Sequence, residues 1–256
     1  MRRFRAVLSF LTVIPGGVHS VDLAAKGFSL APLIGIVIAI PTFLALELYT
    51  FIGKLLAASI AVAIQLLLTG FLHIDGFADT VDGLASRRCG EEMLKIVKDP
   101  RRGSFAIAAV CLDIVLTLAA FYTLISLGRE VLPILVAVYS WSYGSIAMHA
   151  LSLPPEPYPG LGRAFSMAIR SRRSIAELLT ILTAITIATS MLSFCVPIVV
   201  ASMILATAVC SRVIRKRLGF ATGDTMGFCY EMSKLVGLVV AASLSRALPF
   251  YIIWSR

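Results

Sequence analysis

At 256 residues, 59% of them apolar and only 14% charged, with a mean hydropathy of +0.93, the chain reads as an integral membrane protein and not as a soluble domain. Its net charge of +9 would also suit a nucleic-acid binder, but no basic helix or RNA-binding signature accompanies it, so membrane orientation accounts for the bases better. Five cysteines, an odd number without CxxC spacing, argue against a disulfide framework and against a zinc site.

Residues 1–28 open with Met-Arg-Arg-Phe-Arg, then a short apolar run from Ala6 to Ile14, then Pro15-Gly16-Gly17. No small-x-small cleavage site follows the run, and it is too short to span a bilayer. This pattern predicts an interfacial helix anchored by Arg2, Arg3 and Arg5. Seven runs of near-spanning length follow, at roughly 29–49, 55–73, 106–127, 131–151, 175–193, 196–212 and 235–254. The fifth and sixth are divided at Phe194-Cys195-Val196-Pro197, because the combined run is too long for one span. Arg246 and Pro249 interrupt the seventh, which leaves it tilted, half-inserted or paired with an acid elsewhere. The expected fold is all-α: one polytopic membrane domain over 1–256, with about seven transmembrane helices and an N-terminal interfacial helix.

Charge placement orients this bundle. With the N-terminus cytoplasmic, the first segment and the loops after the second, fourth and sixth spans hold 19 of the 23 bases. That bias matches the positive-inside rule. The expectation is therefore a multi-pass protein of the cell membrane whose long loops, 74–105, 152–174 and 213–234, face the cytoplasm and carry the function.

The stretch His73-Ile74-Asp75-Gly76-Phe77-Ala78-Asp79-Thr80-Val81-Asp82-Gly83 begins the first loop. On a helix, Asp75, Asp79 and Asp82 fall within about 60° of one another. Three acids on one stripe repel unless something positive sits between them. A solvated acidic face is the plain alternative, but acids abutting a membrane-length apolar run are costly and usually functional. Oxygen-only ligands point to Mg²⁺ or Mn²⁺ held by Asp75, Asp79 and Asp82. His73 falls on the opposite side of the helix, outside that set. Gly76 and Gly83 leave bare backbone that a phosphate could approach closely.

Farther along the loop, Lys98, Arg101 and Arg102 are spaced to clamp an anion, or serve only as positive-inside residues. The second loop contains Pro154-Pro155-Glu156-Pro157-Tyr158-Pro159-Gly160-Leu161-Gly162-Arg163, stiff and non-helical, a wall or lid of a site or a simple connector. Arg170, Arg172 and Arg173 are expected to anchor the next helix to anionic headgroups. In the third loop Asp224 and Glu231 share a helical stripe; Asp224 or Thr222 can cap a helix, and Glu231 is favoured as a site residue. Asp113 and His149, inside the third and fourth spans, are expected to meet partners within the bundle.

These residues resemble a known family. The stretch from His73 to Gly83 is similar to the H-L-D-G-x-A-D-x-x-D-G hallmark of the cobalamin synthases, the adenosylcobinamide-GDP ribazoletransferases. Four further matches follow the family order. Phe10 to Pro15 resembles F-x-T-x-x-P, Lys98 to Phe105 resembles K-D-x-R-x-G-x-F, Gly160-Leu161-Gly162 falls at a G-L-G, and Thr222 to Glu231 resembles T-G-D-x-x-G-x-x-x-E. Pro154–Pro159 departs from a Tyr-Ala-Arg-Pro-like family sequence, and whether Arg163 replaces that arginine is open.

The resemblance implies attack by the 3′-hydroxyl of α-ribazole, or of its 5′-phosphate, on the cobinamide-side phosphorus of adenosylcobinamide-GDP, with GMP leaving. Mg²⁺ on Asp75, Asp79 and Asp82 would screen the diphosphate, and Asp82 or Asp99 would accept the hydroxyl proton. His73, Gly76, Lys98, Arg101 and Arg102 would contact substrate, while Asp224 and Glu231 would hold a second metal or a ribose. The expected partners are these two substrates and the lipid bilayer, with no nucleic acid; assembly as a homo-oligomer is open. Two rivals remain. A CDP-alcohol phosphotransferase would need D-G-x-x-A-R and G-x-x-x-D-x-x-x-D, which are not met, and a secondary transporter would carry repeats and midplane sites.

Overall fold

The computed structural model describes residues 1–18 and 20–247, and among these it contains helices and no strand. In chain order they are α1 (Arg2–Leu11), α2 (Val21–Lys26), α3 (Pro32–Glu47), α4 (Tyr49–Ile52), α5 (Lys54–Leu68), α6 (Leu72–Ala85), α7 (Gly90–Val97), α8 (Ser104–Leu124), α9 (Val131–Ser152), α10 (Leu161–Ile169), α11 (Arg172–Ser190), α12 (Val196–Arg217) and α13 (Gly223–Ala247).

Five helical stretches among the described residues are long and apolar enough to cross a membrane, and α5 with α6 makes a sixth if that bent pair is one broken span. One of the five, Ser104–Ser152, has 49 residues. As a single rod it would measure about 74 Å, more than twice the ~30 Å hydrocarbon core. It is instead parted into α8 and α9 near Gly128, whose φ of 57° and ψ of −130° leave the helical region. Counting α8 and α9 separately gives six spans, or seven where the bent pair is taken as one.

Apolar side chains cover the outer faces of the helices, and the polar groups within the spans turn inward among an apolar core. On α8, Ile107, Leu112, Val115 and Leu116 are exposed while Asp113 and Thr117 are buried. Helix α13 is the axis of the bundle and packs on α6, α8, α9 and α12.

Several expectations need correction. The second span does not run on into the acidic stretch. It ends at Leu68, and α6 leaves at 88° to α5. Gly70 and Phe71 take φ of 57° and 59° there, the left-handed turn that commonly ends a helix at a glycine. The long loops are largely helix, holding α6, α7 and α10, and the third shrinks to residues 218–222 because α13 already begins at Gly223. Residues 248–254 of the expected seventh span lie outside the described residues. At the N-terminus Arg2 and Arg5 are exposed and Arg3 is half-buried, and two of the three arginines are engaged within the protein. Arg3 pairs with Glu177 at 3.0 Å, and Arg5 donates through Nε to the Gly16 carbonyl at 2.6 Å. Arg170 does not reach for headgroups; it donates to the carbonyls of Ala150 (2.7 Å) and Leu153 at the end of α9.

Lys234, counted from sequence among the loop bases, is instead buried in α13. Its ammonium meets Asp113 of α8 at 3.4 Å and Glu231 one turn back on its own helix. Asp113 thus has the bundle partner expected of it. His149 has two, Ser211 Oγ at 2.9 Å and Thr225 Oγ1 at 3.0 Å. Lys234→Met would leave two carboxyl groups facing each other without a cation and should destabilise the protein by ~3–5 kcal/mol. The triple change Asp113→Asn, Glu231→Gln, Lys234→Met should recover most of the loss, measured by unfolding in detergent.

Candidate functional site

The acidic stripe on α6 forms as its spacing predicts, and its positive partner is the start of α8. The first amides of any helix lack intrahelical acceptors and carry the positive end of its dipole. Asp82 satisfies two of them, accepting from the Gly103 N–H at 2.6 Å and the Ala106 N–H at 2.9 Å. Asp75 and Asp79, one turn apart, both pair with the Arg102 guanidinium.

Two further helix starts converge on the same place. Thr222 and Thr225 cap α13 reciprocally, the Thr222 N–H donating to Thr225 Oγ1 at 2.9 Å and the Thr225 N–H to Thr222 Oγ1 at 3.2 Å. Thr222 therefore does the capping, and Asp224 is released to receive Lys98 at 2.7 Å. The α13 backbone crosses α6 so closely that a Cβ on Gly76 would lie 2.8 Å from the Asp224 carbonyl oxygen. Likewise a Cβ on Gly162, at the start of α10, would meet the Gly223 nitrogen at 2.4 Å. The hallmark, T-G-D and G-L-G segments are thus packed backbone to backbone.

Between them lies a cavity of about 340 Å³ with two characters. Asp75, Lys98, Glu156 and Asp224 form a charged side. Phe10, Phe28 and Phe165 form an aromatic side, the Phe165 ring centroid 4.7 Å from Phe10 and 4.8 Å from Phe28. His73 also lines the cavity, stacked on Tyr230 at 3.9 Å, and its Nε2 has no hydrogen-bond partner among the described residues. Its position opposite Asp75 on the helix keeps it out of the acidic set, as expected, but not out of the cavity at the first turn of α6.

Of the candidate residues, His73, Asp75, Gly76, Lys98 and Asp224 line the cavity, with Asp79 and Arg102 joined to them through Asp75. Others lie elsewhere. Asp99 is wrapped by Arg101, whose Nη2 reaches Oδ2 at 2.7 Å, and these hydrogen bonds hold its carboxyl at about 2. Arg101 is 88% exposed and turned from the cavity. Glu231 belongs to the buried group with Lys234. Arg163 donates to the carbonyls of Glu156 (2.8 Å) and Pro157 (3.0 Å), which gives it a role within the Pro-rich loop. Glu156 and the Phe28–Phe165 pair were missed by the sequence reading. The one available signal was an acid held between two prolines.

No group of three His, Cys, Asp or Glu side chains is arranged to hold a metal among the described residues. The expected trio is divided, since both Asp82 oxygens already accept amides of α8. Asp75 and Asp79 do suit a hard cation, because Mg²⁺ is commonly held by one or two carboxylates together with substrate phosphates.

Asp82 offers a test. Asparagine caps a helix about as well as aspartate, whereas alanine cannot. Here Asp82 accepts through both oxygens and asparagine keeps only one acceptor, so Asp82→Asn should lose part of the contact, while Asp82→Ala forfeits both bonds and should lose about 1 kcal/mol or more. Equal losses in both variants, measured by thermal unfolding in detergent, would remove the capping role.

Comparison with known proteins now adds to this geometry. Residues 3–242 match the family model of CobS, cobalamin-5-phosphate synthase. The chain is 31% identical over 217 residues to an adenosylcobinamide-GDP ribazoletransferase of Alkaliphilus oremlandii, covering 84% of this chain and 85% of that one. It is 30% identical over 243 residues to the enzyme of that name in Escherichia coli K12, covering 92% and 97%, and similarly related to that of Shigella flexneri, 30% identical over 242 residues. No solved structure matches. With nearly its whole length matched, and with the family's motifs drawn around one cavity, the chain belongs to the cobalamin-5-phosphate synthase family.

Proposed function

We propose that the protein joins α-ribazole, or its 5′-phosphate, to adenosylcobinamide-GDP with release of GMP. The observation that carries this reading is the two-sided cavity, in which a charged side meets an aromatic one at the junction of the family's motif segments. The aromatic side suits a flat apolar base such as the benzimidazole of α-ribazole. The charged side suits a diphosphate, and Lys98 can exchange its contact with Asp224 for a non-bridging oxygen. Arg102 can exchange its carboxylates for the same diphosphate, keeping its planar fork engaged throughout.

Mg²⁺ is part of the proposal. Asp75 and Asp79 would hold it, and when bound it would offset the charge that builds on the diphosphate. The remaining work falls to side chains. Lys98 and Arg102 orient the diphosphate, and the phenylalanines hold the acceptor base. We place the protein in the cell membrane with this cavity on the cytoplasmic side, in keeping with the crowding of bases into the segments that build it.

Purified protein in detergent or liposomes should release GMP from adenosylcobinamide-GDP only with α-ribazole and Mg²⁺ present. GMP formed without α-ribazole, or no GMP at all, ends the reading. Asp79→Asn should abolish turnover while the protein still inserts; near-normal turnover would remove Asp79 from the site. Lys98→Ala should chiefly raise KM for the GDP-bearing substrate, and unchanged KM with unchanged kcat would refute its contact with the diphosphate.

A further inference from the structure

The Pro-rich loop 154–159 carries one acid, Glu156, and every contact around it fixes its backbone while leaving its carboxylate unused. Ala221 N–H donates to the Pro154 carbonyl at 2.9 Å, and Pro155 bridges Ala221. On the other flank Tyr158 donates its hydroxyl to Glu91 Oε1 at 3.2 Å. Arg163, the nearest base along the chain, spends its guanidinium on the loop's own carbonyls. The residue is only 7% exposed and lines the cavity. Among the described residues no ion pair or hydrogen bond to its carboxylate is formed.

The other acids at this end are committed. Asp82 caps α8, Asp75 and Asp79 share Arg102, Asp99 is wrapped by Arg101, and Asp224 holds Lys98. An acid that lines a cavity with no ion pair or hydrogen bond to hold it is of the kind that concentrates in sites where such groups do chemistry. We propose that Glu156 is the general base that takes the proton from the attacking 3′-hydroxyl. This rests on the transferase reading above.

In the step, the hydroxyl O–H bond breaks and its proton passes to a Glu156 carboxylate oxygen. The hydroxyl oxygen forms a bond to the cobinamide-side phosphorus. The bond from that phosphorus to the bridging oxygen breaks, and its electron pair leaves with GMP. Glu156 returns the proton to solvent when product departs, so no further reactant is consumed. Burial raises the Glu156 carboxyl above the ordinary carboxylate range, with Lys98 opposing and Asp224 reinforcing that shift. These two face it from the end of α7 and the start of α13, Arg163 lies on its backbone from α10, and Asp75 and His73 share the cavity from α6. A raised proton affinity brings a base closer to the pH at which it works.

Wild-type protein is assayed first for GMP release, so that failure of the transferase reading is seen separately. Glu156→Gln keeps the shape and polarity but cannot accept the proton. It should lower kcat by about 100-fold or more, leave KM for both substrates within a few-fold, and remove the acidic limb of the kcat/KM profile. That limb should lie above pH ~4.3, the usual glutamate value, in the wild type. Glu156→Asp should keep a titrating limb at a shifted position with partial activity, and it also serves if the glutamine variant does not fold. A kcat within about three-fold of wild type in a folded Glu156→Gln protein, a rise in KM alone, or an acidic limb unmoved in either variant would overturn the assignment.

Discussion

The row of carboxylates on α6 is tolerable at the edge of the bundle because α8 begins against it. Two of α8's unpaired amides take Asp82, and the residue just before them, Arg102, takes Asp75 and Asp79. The contact does two things at once. It gives like charges on one stripe a positive surface to face, and it gives the exposed start of a long apolar helix its missing acceptors. Because Asp82 binds backbone amides and not a mobile side chain, the two helices are held at a definite register. The position of Arg102 over its two acids follows from that register.

A second tie lies deeper. Lys234 joins α13 to α8 through Asp113, among side chains that have no access to water. Held at both places, α13 presents its first turn to the hallmark segment, and the bare backbone at Gly76 lets the crossing close to contact distance. The cavity is what remains where two helix starts, α10 and α13, meet α6, the end of α7 and the N-terminal segment. Its charged side comes from Asp75 on α6, Lys98 at the end of α7, Glu156 in the Pro-rich loop and Asp224 on α13, and its aromatic side from Phe10, Phe28 and, on α10, Phe165.

Much of this was legible from the chain. Hydropathy marked the membrane class, and the period of the α-helix put Asp75, Asp79 and Asp82 on one stripe. The need of that stripe for a positive partner was also readable. Its identity was not. Arg102 lies 27 residues from Asp75, and no local rule connects them. The bend after Leu68 was missed because a single glycine in an apolar run reads as an ordinary helical residue, although Gly70 at a left-handed turn ends the helix. Lys234 was misplaced for a related reason. A base near a loop is normally a surface base, and only the approach of Asp113, 121 residues earlier in the chain, makes its burial stable.

What the sequence determined by itself, then, was the set of properties that arise within a few turns of helix: apolar spans, the shared face of the acids, and a helix cap at Thr222 or Asp224. Periodicity and capping act between neighbours, so neighbours suffice to reveal them. The tertiary structure decided which charge meets which, which acid is spent on a helix start, and which, like Glu156, is left facing the cavity without a partner. Those outcomes depend on distances between segments far apart in the chain, and such distances exist only once the helices have packed.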